Sequence, residues 1–197
     1  MLDVDGVLVD GRPCDGRRWD SDLLEDLGLS PAVLFENFFT AEWNDIVVGK
    51  RELLPTLETV LKRLAPIVQA KDLVAYWFEM DSRIIQAVLS DVRIARGQGI
   101  PVHLATNQEH MRVEYLMQTM GLRDEVDGII YSAKARCKKP SSEFFAFAEQ
   151  TTGYRPDDLL LVDDTLTNVE AARASGWSAV HWDGTKKLSA ILQRSIG

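Results

Sequence analysis

The amino-acid sequence predicts an α/β fold: a doubly wound parallel sheet with a small all-helical segment inserted after the first strand. Three observations carry this reading. Short apolar runs of strand length recur at residues 100–106, 128–132, 159–164 and 177–182. Helical patterns separate them, at about residues 109–120, 141–152, 166–175 and 185–195. Strands that are apolar throughout, alternating with helices, imply a parallel sheet covered on both faces. Parallel crossovers are right-handed, which makes the layout Rossmann-like. The third observation is the stretch from about 20 to 96, which carries helical periodicity only.

Residues 1–9 read as the first strand, because Leu2, Val4, Val7, Leu8 and Val9 flank the acids Asp3 and Asp5. Residues 14–18 are loop-like. Ser30-Pro31 starts a helix, with an N-cap followed by Pro at the first helical position. Val33, Leu34, Phe38 and Trp43 follow near helical spacing. Pro55 either opens or kinks the helix in RELLPTLETVLKRL. The last helix of the stretch ends at Gly97 and Gly99 in the manner of a C-cap. Gly121 and Gly176 stop later helices, and Ser141 is a candidate N-cap. These limits divide the chain into a Rossmann-like core, 1–13 and 86–197, and a helical cap, 14–85. The aromatics of the cap read as its own core.

Composition excludes several classes. The chain has 197 residues, 46 % hydrophobic and 26 % charged, enough for a substantial core. Thirty acids against 22 bases give a net charge of −8, and no Lys/Arg run suggests nucleic acid as a partner. Only Cys14 and Cys137 occur, which fits free thiols in a reducing cytoplasm. The N-terminus lacks a signal-peptide pattern, and no apolar run nears the ~20 residues of a membrane span. The expectation is a cytoplasmic monomer or homodimer.

In such a sheet, ligands bind beyond the carboxyl ends of the strands. Polar residues fall at those ends: Asp3 and Asp5, Thr106 and Asn107, Asp163 and Asp164, with Lys138 and Lys139 in a loop before Pro140. Three such ends and a lysine on one edge point to a site. Asp3, Asp163 and Asp164 cannot all stay ionised together without a cation. An all-oxygen donor set suits a hard ion such as Mg²⁺. Thr106, Asn107 and a lysine can hold an anion. A metal and a lysine on one anion indicate phosphoryl chemistry. One ionised Asp can then be the nucleophile, and an acid two residues on can move the proton.

These residues resemble, in order, the four motifs of the haloacid dehalogenase-like (HAD) superfamily. Asp3-Val4-Asp5-Gly6-Val7 looks like the first and Thr106-Asn107 the second. Lys139-Pro140 with Phe144 looks like the third, and Asp163-Asp164 with Asn168, Ala171, Ala172 and Gly176 the fourth. The resemblance implies Asp3 as nucleophile and Mg²⁺ ligand. It implies Asp5 as general acid/base, with its carbonyl on the metal. Thr106, the Asn107 backbone and Lys139 would hold the phosphoryl oxygens. Asp164 is preferred as direct metal ligand, with Asp163 acting through water or as support, and Lys138 is an exposed neighbour. The founding dehalogenases lack an acid at the position of Asp5, so its presence argues for a phosphatase. The insert resembles the small cap of one subclass, whose closure would exclude water. Only Met1 and Leu2 precede Asp3, short for a central strand; either the natural start lies upstream or the strand is clipped.

The expected activity is Mg²⁺-dependent hydrolysis of a small phosphorylated metabolite, a sugar phosphate among the candidates, through an aspartyl phosphate. The alternative is a phosphomutase of the β-phosphoglucomutase type. A receiver-like signalling module and a non-catalytic phosphate-binding protein are more remote. Asp10 reads as a turn residue at the hinge, His103 as a core residue, and His110 as a residue near the second motif. Trp43, Asn44, Trp77 and Arg83 are candidates for lining the cap.

Overall fold

The computed structural model describes residues 1–196. Strand β1 (His103–Thr106) pairs in parallel with β2 (Gly128–Tyr131), and β3 (Leu160–Asp163) pairs in parallel with β4 (Ser178–His181). Residues 1–3 join the two pairs. Leu2 bridges both Leu104 and Val162, through Leu2 N–H to His103 O, Ala105 N–H to Leu2 O, Asp3 N–H to Val162 O and Val162 N–H to Met1 O, each 2.9 Å. The sheet order is therefore β2, β1, residues 1–3, β3, β4, all parallel. Chain order reverses at the central segment, the position at which open parallel sheets bind their ligands.

The strand expected over residues 1–9 ends at Asp3. Residues 4–9 instead fold into a tight turn, in which the Val4 carbonyl accepts from the amides of Val7, Leu8 and Val9 at 3.2, 2.9 and 2.9 Å. Val4, Val7, Leu8 and Val9 are all fully buried. A compact turn inside the core presents the same unbroken apolar run as a strand does, so periodicity cannot separate them. The turn is possible because Gly6 takes φ +73°, a region that L side chains avoid.

Helices cover both faces of the sheet. They are α6 (Gln86–Gly97), α7 (His110–Glu114, continued by a π-wound segment Tyr115–Thr119), α8 (Leu122–Glu125), α9 (Ser132–Ala135), α10 (Ser142–Thr152), α11 (Leu166–Ala174) and α12 (Leu188–Ile196). One apolar cluster on the sheet joins Leu2, Leu8, Val92, Leu104 and Leu116. The other joins Ala105, Phe144, Phe145, Leu161 and Trp177. Helix α12 begins later than expected, because Asp183 accepts from the Thr185 amide and hydroxyl at 2.9 and 2.6 Å and holds a turn there. Ser141 sits at the N-cap position of α10 but spends its hydroxyl on Glu143, so it does not cap with its side chain.

The inserted helices are α1 (Leu23–Leu27), α2 (Pro31–Leu34, continued by a π-wound segment Phe35–Thr40), α3 (Trp43–Val47), α4 (Leu53–Leu64) and α5 (Ala70–Met80). Pro55 lies in the first turn of α4, where its missing N–H has no helical partner to lose. These helices close around their own apolar cluster, from Leu23 to Phe78, with Trp19, Phe39 and Trp43 each in ring contact with Trp77. Two antiparallel crossings connect the helices to the core. Asp10 N–H bonds Arg83 O, Arg83 N–H bonds Gly11 O, and Ile85 N–H bonds Leu8 O. The Arg83 side chain also donates to the Asp10 carbonyl and carboxylate, at 2.7 and 3.2 Å. No helix among the described residues is long and apolar enough to cross a membrane.

Candidate active site

The carboxyl ends of the central segment, β1 and β3 converge on one buried lysine. Lys139 Nζ lies 3.0 Å from Asp3 Oδ1 and 2.5 Å from Asp163 Oδ2, and it donates to the Ala105 carbonyl at 2.6 Å. Asp3, Asp163 and Asp164 each bring a carboxylate oxygen within 4.8 Å of the others. Asp163 is fully enclosed. It accepts from Asn168 Nδ2 on both oxygens, at 3.0 and 3.2 Å, and from the Thr165 amide at 2.9 Å. Asp164 is the open member, with one contact from the Thr165 hydroxyl at 3.3 Å. Gly6 lies against it: a Cβ there would come within 2.3 Å of Asp164 Oδ2.

The second motif is built on the same lysine. Thr106 is buried at the end of β1. The Asn107 side chain pairs reciprocally with the Lys139 backbone. Its Nδ2 donates to Lys139 O, and its Oδ1 accepts from Lys139 N–H, both at 2.9 Å. The Asn107 side chain thus fixes the loop that carries Lys139, which leaves only its backbone for a ligand.

Electrostatics follow from burial. Desolvation drives the Asp3 carboxyl up to about 7; Lys139 opposes this, and Asp163 and Asp5 add to it. Burial alone would pull Lys139 down, but Asp3 and Asp163 outweigh it and hold the ammonium above the ordinary lysine value. Asp164 is raised by burial and then by Asp163. Asp5 keeps contact with the open cleft, yet its carboxyl sits deep enough to be pushed up to about 6, first by desolvation and then by Asp81. Three carboxylates face one lysine, so the centre carries excess negative charge and only oxygen donors. A hard divalent cation answers both features, and the residues fit Mg²⁺.

The fold brings together Asp3, Asp163, Asp164 and Lys139, with Thr106 and Asn107 beside them. The carboxylate of Asp5 does not join the acid group; Oδ2 accepts from Gln108 Nε2 at 2.6 Å. Lys138 is more than an exposed neighbour. Its Nζ donates to Asn44 Oδ1 at 2.6 Å and links the third-motif loop to helix α3. His103 is only half-buried, at the amino end of β1, away from the site, because its ring packs on Tyr154 at the sheet's lower edge. His110 is exposed against Tyr131. Trp43 and Trp77 belong to the aromatic cluster of the inserted helices. Sequence reasoning assigned no part to Gln108, Arg112 or Ser132, all buried. Arg112 donates to the carbonyls of Phe78 (3.0 Å) and Asp81 and lies over the Phe78 and Tyr115 rings. The available signal was a mostly polar stretch, Gln108 to Arg112, interrupted only by Met111, directly after a strand-end motif.

Residues 1–176 match the haloacid dehalogenase-like hydrolase family. A phosphoglycolate phosphatase of Pseudomonas putida is 30 % identical over 183 residues, covering 91 % of this chain and 67 % of that protein. The fructose-1-phosphate phosphatase YqaB of Escherichia coli is 29 % identical over 80 residues, 41 % of this chain and 43 % of that one. Among solved structures, a HAD family enzyme of Bacteroides thetaiotaomicron, in complex with magnesium and inorganic phosphate, superposes with TM-score 0.74. It covers 96 % of each chain at 17 % identity. An L-2-haloacid dehalogenase of Xanthobacter autotrophicus superposes at 0.66, covering all of this chain and 81 % of that one at 16 % identity. The chain therefore belongs to the haloacid dehalogenase-like hydrolase family, as a hydrolase of phosphoric monoesters.

Proposed function

We propose that this protein is a Mg²⁺-dependent phosphatase of a small phosphorylated metabolite, a sugar phosphate among the candidates, working through an aspartyl phosphate on Asp3. The observation that carries the reading is Lys139 set between Asp3 and Asp163, with Asp164 completing the acid group. Phosphatase relatives that act on phosphoglycolate and fructose 1-phosphate support the substrate class.

The residues divide the chemistry. Asp3 Oδ1 accepts from the Val4 amide at 2.8 Å and from Lys139, so Oδ2 is the oxygen offered to phosphorus. Thr106, the Asn107 backbone and Lys139 hold the phosphoryl oxygens as charge develops on them. As the Asp3–phosphorus bond forms and the ester bond breaks, Asp5 gives its proton to the leaving oxygen. Asp5 then takes a proton from water, which attacks phosphorus and frees Asp3. Asp3, Asp164 and the Asp5 carbonyl would hold Mg²⁺, which keeps the carboxylates ionised and draws charge from the phosphoryl oxygens. Asp163, saturated by Asn168, Thr165 and Lys139, supports the centre. Residues 14–85 act as the cap that excludes water and selects the leaving group.

The test is phosphate release from a panel of phosphorylated metabolites, with and without Mg²⁺. Wild type releases phosphate with metal, and Asp3→Asn loses at least about 10³-fold in turnover, as expected for removal of a covalent nucleophile. Turnover by Asp3→Asn at the wild-type rate sinks the covalent mechanism. Isomerised sugar phosphate in place of free phosphate assigns a mutase.

A further inference from the structure

Gln108 has no part in the chemistry above, yet it is 4 % exposed and its Nε2 donates to Asp5 Oδ2 at 2.6 Å across 103 residues of sequence. Its backbone is anchored as well. The Gln108 carbonyl accepts from the Ala133 amide at 3.2 Å and lies 3.2 Å from Ser132 Oγ. Ser132 is fully enclosed, and its hydroxyl donates to the Val47 carbonyl, at the end of α3, at 2.6 Å. Around that bond the inserted helices rest on the core. Gly49 packs so closely that a Cβ would meet Ala133 O at 2.7 Å, Arg136 donates to the Gly49 carbonyl, and Lys138 holds Asn44.

We propose that Gln108 is a positioning residue for Asp5, and that Ser132 ties it to the seat of the inserted helices. The proposal rests on Asp5 being the proton carrier. A side-chain amide N–H is a donor only, so it pairs with a carboxyl oxygen that carries no proton. With Oδ2 held by Gln108, Oδ1 is the oxygen that carries the transferable proton and faces the leaving group. The bond removes the rotational freedom that would let Asp5 turn out of the cleft. The Ala133 amide holds the carbonyl of the same Gln108 while the adjacent Ser132 hydroxyl holds Val47, so the acid is oriented where α3 is seated.

The discriminating experiment uses leaving-group dependence in the full-length protein with Mg²⁺. An alkyl phosphate needs a proton on its departing oxygen, whereas p-nitrophenyl phosphate does not. In Gln108→Met, kcat/KM falls about 10–100-fold for the best alkyl phosphate of the metabolite panel but less than about threefold for p-nitrophenyl phosphate, the signature of lost acid catalysis. In an Asp5→Asn background the same change has no further effect on the alkyl substrate. Gln108→Asn, which withdraws the amide by one methylene, gives the same selectivity should the Met variant not fold. Ser132→Ala shifts both ratios in the same direction, more weakly. Equal losses on the two esters, or an undiminished effect in the Asp5→Asn background, overturn the positioning role. Wild-type rates for Asp3→Asn instead overturn the phosphatase mechanism, whatever Gln108 does.

Discussion

At the residue scale, the centre depends on one glycine as much as on its acids. Gly6 follows Asp5 directly, at φ +73°, with the Asp164 carboxylate where a Cβ would be. Any side chain there is strained by its backbone and displaces Asp164, the open acid of the group. Gly6→Ala is expected to cost about 1–2 kcal/mol of stability from the left-handed backbone alone. It also weakens Mg²⁺ activation, because Asp164 must turn away. Denaturant melts give the first quantity, and the Mg²⁺ concentration for half-maximal phosphate release gives the second. The Asp3-Val4-Asp5-Gly6 order was legible in sequence, since acids that end an apolar segment need a reason. The contact between Gly6 and Asp164 was not, because the two are 158 positions apart.

At the element scale, the insert and the core are coupled through the mostly polar stretch after β1. Glu109 caps α7 by accepting from the Met111 amide at 2.8 Å and the Arg112 amide at 2.5 Å. That turn directs Arg112, 1 % exposed, to the carbonyls of Phe78 and Asp81 at the exit of α5. Arg112→Met removes donors from buried carbonyls and is expected to destabilise the protein by about 2–4 kcal/mol. A drop in the urea midpoint with an unchanged slope is the expected readout. Phosphate release by the folded fraction also falls, because Asp81 lies near Asp5 and loses its cation. The helix after β1 was legible from its periodicity. The target of Arg112 was not, since a helical pattern gives which face is apolar and not which chain end arrives there.

At the scale of the whole molecule, the acid group makes stability depend on pH and metal together. Asp3 and Asp5 are raised from 3.8 to about 7 and about 6, so the folded state holds their protons more tightly than the unfolded state does. Their effect is a metal-free stability that falls as pH rises through that window. Mg²⁺ competes with protons for Asp3 and Asp164. Thermal melts with and without Mg²⁺ should therefore show a larger metal-induced stabilisation at about pH 7.5 than at about pH 5.5, by about 1–2 kcal/mol. Equal increments at both values would show that no proton is displaced.

The sequence by itself determined the order of strands and helices and the edge of the sheet on which the polar residues fall, where the fold gathers Asp3, Asp163, Asp164 and Lys139. Those features are local: a strand's apolar run, a helix period, and a polar residue where the chain leaves the sheet. The turn at residues 4–9, the bond from Gln108 to Asp5, the link from Lys138 to Asn44 and the reach of Arg112 were decided only by tertiary structure. The three long-range links depend on which polar groups meet across the fold, and the turn depends on an apolar run being buried without sheet pairing; neither composition nor spacing carries that information.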